Sequence, residues 1–265
     1  MQTKVTDMAV LTKDLNIWLE KRREIKKRGL SIGFVPTMGA LHAGHRSLLE
    51  RSRRENDFTL LSIYVNPTQF NDPEDLKKYP MTLERDLEIA RQVGVDEVLA
   101  PDYQQMYPDG YTYRLSENKF SHLLCGRHRP GHFDGMLTVV MKLLHLAGAD
   151  RCYFGEKDYQ QLVLVQNMVK AFFIDTAIVA CETVREEDGL AMSSRNVNLG
   201  PEVRDLAPQF HRVLECADSS EGARTQLSGH GFEVEYVEEM KFLEGSRRLA
   251  AVKVGGVRLI DNVKR

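Results

Sequence analysis

Apolar positions recur along this chain in two alternating textures. Between Lys13 and Lys27 they fall at Leu15, Trp18, Leu19 and Ile25 among charges, which predicts a surface helix. The run SIGFVP (31–36) then reads as a buried strand. Residues 44–55 predict a helix that turns Leu48 and Leu49 inward, and TLLSIYV (59–65) is the next strand. A helix over 83–93 and a short strand in DEVLAP (96–101) follow. The rhythm returns with a helical stripe at Leu137, Val140, Leu144 and Ala147, a strand RCYFG (151–155), a helix from Tyr159 and a strand TAIVAC (176–181). Strands alternating with helices predict an α/β fold, a parallel sheet with helices on both faces. Between the halves, PDYQQMYPDGYTYRLSENKF (101–120) reads as an irregular insertion or as short strands beside a site.

The pattern changes after residue 181. SSRNVNLGPEVRDLAPQF (193–210) leads into a helix, and DSSEGARTQLSGHG (218–231) is polar and glycine-rich. FEVEYVE and LAAVKV then alternate, and Gly255-Gly256 joins the latter to VRLIDNV as a hairpin. Two domains are expected: 1–181, and a smaller α+β domain over 182–265 with antiparallel strands.

Composition narrows the classes of function. The 265 residues include 42% hydrophobic ones, enough for a substantial core. The 36 basic and 38 acidic residues leave a net charge of -2, which gives no support to coating nucleic acid. No apolar run approaches the ~20 residues that span a bilayer. The four cysteines are dispersed, without a C-x-x-C pair, and no secretory leader is visible. A cytoplasmic protein with no nucleic-acid or membrane partner is expected.

The chemistry centres on PTMGALHAGH (36–45), at a predicted strand-to-helix turn. Helix N-termini beyond parallel strands present unpaired N–H groups and partial positive charge. Gly39 suits a tight turn, and Gly44 suits close approach of backbone to a ligand. The stretch lacks the lysine of a Walker loop and the spacing of a dinucleotide fingerprint. His42 and His45, three apart, share a face if helical, and structural packing, phosphate contact and metal ligation all remain open for them. Other strand ends carry polar groups too: Asn66 and Gln69; Lys157, Asp158, Gln160 and Gln161; Ser193, Ser194, Arg195 and Asn196. RHRPGHFDG adds Arg127, His128, Arg129 and His132 as a second basic cluster.

PTMGALHAGH contains an H-x-G-H signature, and VNPTQF, RPGHFDG, TVVMKLL, FGEKDYQQL, REEDGLAMSSRN and VRLIDN follow it in order over residues 33–262. In this the chain resembles the pantoate–beta-alanine ligase family of the nucleotidylyltransferase superfamily. The resemblance implies a Rossmann-like sheet domain holding the site, a smaller domain closing over it, and a homodimer. It implies ATP and Mg²⁺, with pantoate joined to beta-alanine through a pantoyl adenylate. By the same resemblance His42, His45 and Lys157 are catalytic. Met38, Gly155, Asp158, Ser193, Ser194 and Arg195 join them in binding ATP. Gln69 and Gln161 hold pantoate, with Met38 nearby, and Asp86 is the magnesium position. Met81, where the family usually has arginine, and Glu182, where it often has proline, depart from the pattern.

Overall fold

A computed structural model describes residues 9–265; the first eight residues of the expected first domain lie outside the described residues. Six strands form one parallel sheet: β1 (Val10–Thr12), β2 (Ile32–Thr37), β3 (Phe58–Ile63), β4 (Glu97–Leu99), β5 (Arg151–Gly155) and β6 (Ala177–Cys181). Their order is β1-β4-β3-β2-β5-β6. The chain builds outward from β2 through β3 to β4, then crosses back to place β5 against the other side of β2. The direction of winding therefore reverses between β2 and β5. Such a reversal leaves a crevice beyond the carboxyl ends of the two strands.

The helices are α1 (Leu15–Lys27), α2 (Ala43–Glu55), α3 (Pro73–Lys78), α4 (Leu83–Val93), α5 (Tyr103–Met106), α6 (Cys125–His128), α7 (His132–Ala147), α8 (Tyr159–Ala171), α9 (Pro201–Leu206), α10 (Pro208–Cys216) and α11 (Ser220–Gly229). Strands β2 to β4 are buried along nearly their whole length, as helices on both faces require. Helix α7 is buried on most of its circumference and begins at His132, earlier than its apolar stripe predicts. The hydrophobic pattern does not predict β1. It is a three-residue edge strand, recognisable only through its partner β4 and the hydrogen bond from Thr12 to the buried Glu97.

Residues 101–120 contain α5 and no strand. The polar, glycine-rich stretch 218–231 is largely helix α11. Ser219 caps it, accepting from the Gly222 N–H at 3.0 Å, and Ala223 and Leu227 are its buried face.

The second sheet is antiparallel, with β7 (Glu233–Phe242), β8 (Gly245–Val254) and β9 (Val257–Lys264) in that order. Gly255 and Gly256 turn β8 into β9 with φ of 55° and 76°, the positive pair that a tight primed turn needs. Tyr236, Leu249 and Ala251 of this sheet share one apolar cluster with Phe133 and Tyr159. Arg247 reaches Glu156 at 2.6 Å, and the Asn262 amide donates to the Glu156 carbonyl at 2.8 Å and to that of Lys157 at 3.2 Å. The small sheet thus fixes the loop that leaves β5.

Gly135 sets another approach. A Cβ there would overlap the Thr68 carbonyl oxygen and lie 2.8 Å from the Gln69 nitrogen. Helix α7 therefore touches the 3-10 turn Pro67–Gln69 backbone to backbone. Gly135→Ala is expected to destabilise the protein by about 1–3 kcal/mol through overpacking, read from urea unfolding. An unchanged midpoint would mean that the turn can move aside.

Candidate functional site

One cavity of about 240 Å³ opens at the switch point. The turn after β2 supplies Met38, His42 and His45; the turn after β3 supplies Asn66 and Gln69; the β5–α8 loop supplies Gly155, Lys157, Asp158 and Gln161. The segment after β6 supplies Ser193, Ser194 and Arg195. Most of the positions singled out in the sequence thus converge; Asp86, Gln160, Asn196, Arg127 and His128 do not line this cavity.

His42 is the N-cap of α2, with extended backbone at φ -135° and ψ 179°, so it is not part of the helix as its spacing suggests. The two histidines instead meet through a reciprocal cap. His42 Nδ1 accepts from the Gly44 N–H at 3.1 Å, and His45 Nδ1 accepts from the His42 N–H at 3.4 Å. Ring centroids are 4.1 Å apart. Because both Nδ1 atoms act as acceptors, each neutral ring carries its proton on Nε2. Burial lowers His42 to about 4 and His45 to about 3, helped by Lys157 and by the neighbouring ring respectively. Near pH 7 both are neutral imidazoles with one N–H to donate. Gly39 makes the preceding turn at φ 82°. At Gly44 the close neighbour is the His42 ring, whose Cε1 a Cβ would approach to 2.9 Å.

Asp86 lies on α4, fully buried and away from the cavity lining. One carboxylate oxygen accepts from the Leu41 N–H at 2.8 Å and from Thr82 Oγ1 at 3.2 Å; the other accepts from the Ala40 N–H at 3.0 Å. It braces the very turn that carries the histidines.

Lys157 stands 3.6 Å from Asp158. Burial favours the neutral acid at Asp158, but Lys157, with Arg195 and others, outweighs it and holds the carboxyl below its ordinary range. Gly155 has open space where a Cβ would stand, so bare backbone faces the cavity. Ser194 Oγ donates to Tyr79 Oη at 3.3 Å, and Arg195 pairs with Asp75 of α3 at 2.9 Å while lying over the Tyr79 ring.

The glutamines separate by their partners. Gln69 accepts from the Asn66 amide at 2.9 Å and points its own amide nitrogen at Met38 Sδ, 3.4 Å away. Gln160 is consumed by structure: it accepts from the Cys125 N–H at 3.1 Å and donates to the Phe120 and Leu123 carbonyls at 2.8 and 2.9 Å. Its neighbour Gln161 lines the cavity, with no side-chain hydrogen bond among the described residues.

Two parts of the lining are not visible in the sequence. Met136, Val139, Val140 and Leu143 of α7 form an apolar wall, hidden because they resemble ordinary core positions. Tyr79 is equally silent. His132 and Arg129 stand out in sequence as basic residues, without a role. His132 Nδ1 donates to the Gln69 carbonyl at 2.8 Å, and Arg129 Nη1 donates to His132 Nε2 at 3.0 Å. Burial, reinforced by Arg129, pushes His132 down to about 3. Of the two departures from the family pattern, Met81 is exposed and Glu182 lines the cavity.

Residues 9–264 match the family model for pantoate-beta-alanine ligase. The chain belongs to the pantoate–beta-alanine ligase family. It is 53% identical over 239 residues to the pantothenate synthetase of Bdellovibrio bacteriovorus, covering 90% of this chain and 94% of that one. Against the pantothenate synthetase of Legionella pneumophila it is 51% identical, covering 94% and 97%. The crystal structure of the Francisella tularensis pantoate-beta-alanine ligase, in complex with beta-gamma ATP and beta-alanine, is 39% identical with a TM-score of 0.90 over 97% of each chain. The Thermus thermophilus pantothenate synthetase gives 38% and 0.89 over 96% and 99%. The ligase fold is therefore shared over nearly the whole length.

Two outcomes test this geometry. Asp86→Asn is expected to lower stability by about 2–4 kcal/mol with neither metal nor nucleotide present, since an amide cannot accept at both ends. Loss seen only in the presence of Mg²⁺ would contradict the bracing role. His132 is neutral when folded yet protonates near 6.5 when unfolded. The unfolded chain then binds the extra proton, so this contribution falls away as pH drops from about 6.5 towards 3. Urea unfolding at pH 7 and pH 4.5 should show a smaller pH dependence for His132→Gln than for the unsubstituted protein.

Proposed function

We propose that this cavity condenses pantoate with beta-alanine in two steps, through a pantoyl adenylate. ATP lies with its phosphates across the N-terminus of α2, Lys157, Ser193, Ser194 and Arg195, and with Met38, Gly155 and Asp158 beside it. Gln69 and Gln161 take the pantoate hydroxyls, and the apolar wall of α7 receives its methyl groups. The pantoate carboxylate, already ionised near pH 7, attacks the α-phosphorus; the new P–O bond forms as the bond to pyrophosphate breaks. The Nε2–H groups of His42 and His45 stabilise the charge on the transferring group, with Lys157 as a fixed cation. In the second step the neutral amine attacks the acyl carbon. The C–N bond forms, the nitrogen gives up a proton, and the C–O bond to AMP breaks. Shielding of the adenylate from water falls to α3 and the 182–265 domain, closing over the 1–181 domain.

The observation that carries this reading is the capped histidine pair. Two neutral donors sit at a helix N-terminus, in the same cavity as Lys157, Arg195 and an amide-and-apolar end suited to a small hydroxy acid. The Francisella tularensis ligase, in its complex with beta-gamma ATP and beta-alanine, supports it.

Mg²⁺ fits this site poorly as a protein-held ion. Among the described residues no three His, Cys, Asp or Glu side chains cluster to hold a metal, and the Asp86 oxygens are engaged by the backbone. An ion carried by the nucleotide phosphates is the form the residues allow, and no step of the proposed reaction runs through it. A homodimer in the cytoplasm completes the proposal; no helix among the described residues is long and apolar enough to cross a membrane.

AMP release measured with ATP, Mg²⁺ and pantoate, with and without beta-alanine, is expected to be beta-alanine-dependent and to yield pantothenate. Its absence from a folded preparation would overturn the reading. His45→Ala is expected to lower turnover about 100-fold or more, from a lost transition-state hydrogen bond of about 2.7 kcal/mol. Unchanged turnover would remove His45 from the chemistry.

A further inference from the structure

The second substrate brings a charge that the chemistry never consumes. Pantoate loses its carboxylate charge on adenylation, whereas beta-alanine keeps its own from entry to product. A carboxylate drawn into a crevice needs a cation there. Three arginines line the cavity and the adjoining clefts. Arg195 is paired with Asp75 at 2.9 Å, and Arg258 with Glu235 at 2.8 Å. Arg129 has no carboxylate within 4 Å among the described residues, although it lines all three spaces.

Its contacts are neutral acceptors: His132 Nε2 at 3.0 Å and the Gln69 carbonyl at 3.4 Å. They leave part of a five-donor fork unspent, in the shape that suits a carboxylate. Burial, with Arg258 and Arg195 nearby, lowers Arg129 to about 10, so its charge is poorly compensated by the protein alone. His132 aims the guanidinium, because its Nδ1 proton is committed to the same Gln69 carbonyl and its Nε2 must then accept.

We propose that Arg129, oriented by His132, is the receptor for the carboxylate of the amino-acid substrate. The inference rests on the ligase reading above. It is also consistent in placement: Arg129 holds the backbone of the glutamine assigned to pantoate, and two methylenes separate the amine of beta-alanine from its carboxylate. A carboxylate on Arg129 would thus lie at the Gln69 end of the cavity, the end assigned to pantoate.

The test compares kcat/KM for beta-alanine and for propylamine, which lacks the carboxylate, at saturating ATP and pantoate. The ratio is taken within each protein, so any effect of a substitution on adenylation cancels. The unsubstituted protein is expected to favour beta-alanine strongly, and Arg129→Met to reduce that preference about tenfold or more. A preference that survives in Arg129→Met, even with both rates lowered, assigns the guanidinium to the phosphates or pantoate and overturns the proposal. Arg129→Lys guards against misfolding: it should raise KM for beta-alanine by about threefold or more, since the fork is lost, and affect propylamine less. Equal changes for the two amines count against the proposal. No beta-alanine-dependent AMP release from the unsubstituted protein removes the ligase reading itself, before any variant is made, and the proposal with it.

Discussion

Everything at this site depends on how the N-terminus of α2 is finished. A helix start leaves N–H groups without partners, and here two of the nearby backbone donors are taken by imidazole nitrogens rather than by the usual hydroxyl or carboxylate. A serine or aspartate cap would satisfy the same donors. It would not leave a second nitrogen on each ring with a proton to give. The cap and the free ring donors are therefore one arrangement, and the turn holds both rings in it. Asp86 does this from beneath, binding two successive backbone N–H groups of the turn.

The second constraint is the distribution of positive charge. A polyanionic nucleotide and two carboxylate substrates call for cations, yet cations in one crevice repel each other. The fold spreads them over separate elements: Lys157 after β5, Arg195 after β6, Arg129 before α7. The loops that carry Lys157 and Arg195 are each anchored elsewhere. The β5–α8 loop is held by Arg247 and Asn262 of the small sheet. The segment before Ser193 is tied to the same sheet by Arg185, which binds both oxygens of the buried Asp261 at 2.7 and 2.9 Å. The antiparallel sheet thus holds in place both the loop that carries Lys157 and the segment that leads to Ser193 and Arg195.

Much of this is legible in the sequence, for specific reasons. Long buried strands and periodic helices announce themselves, so β2 to β6 and α2, α4 and α8 fall close to their predicted places. The short edge strand β1 and the polar helix α11 do not, because tertiary pairing and a single serine cap decide them. At the site, residues whose chemistry is unusual for a loop can be picked out: His42, His45, Lys157, Ser193, Arg195. Asp86 can be found but not understood, since a carboxylate that braces backbone and one that holds a metal look alike in one dimension. Gln160 and Gln161 make the same point: adjacent and identical, one closes a loop and the other faces the cavity. The apolar wall of α7 falls partly within the family block TVVMKLL, but its hydrophobic pattern reads only as that of a core helix.

The low proton affinity of the histidines has a consequence for the site as an electrical object. His42, His45 and His132, at about 4, 3 and 3, have all discharged well below neutrality. A histidine near its ordinary value would flicker between charged and uncharged over the range in which cells live, and its hydrogen-bond polarity would flicker with it. These three hold one charge and one donor direction throughout that range. The positive field of the cavity near neutrality is then set by lysine and arginine, and the neutral imidazoles contribute fixed dipoles.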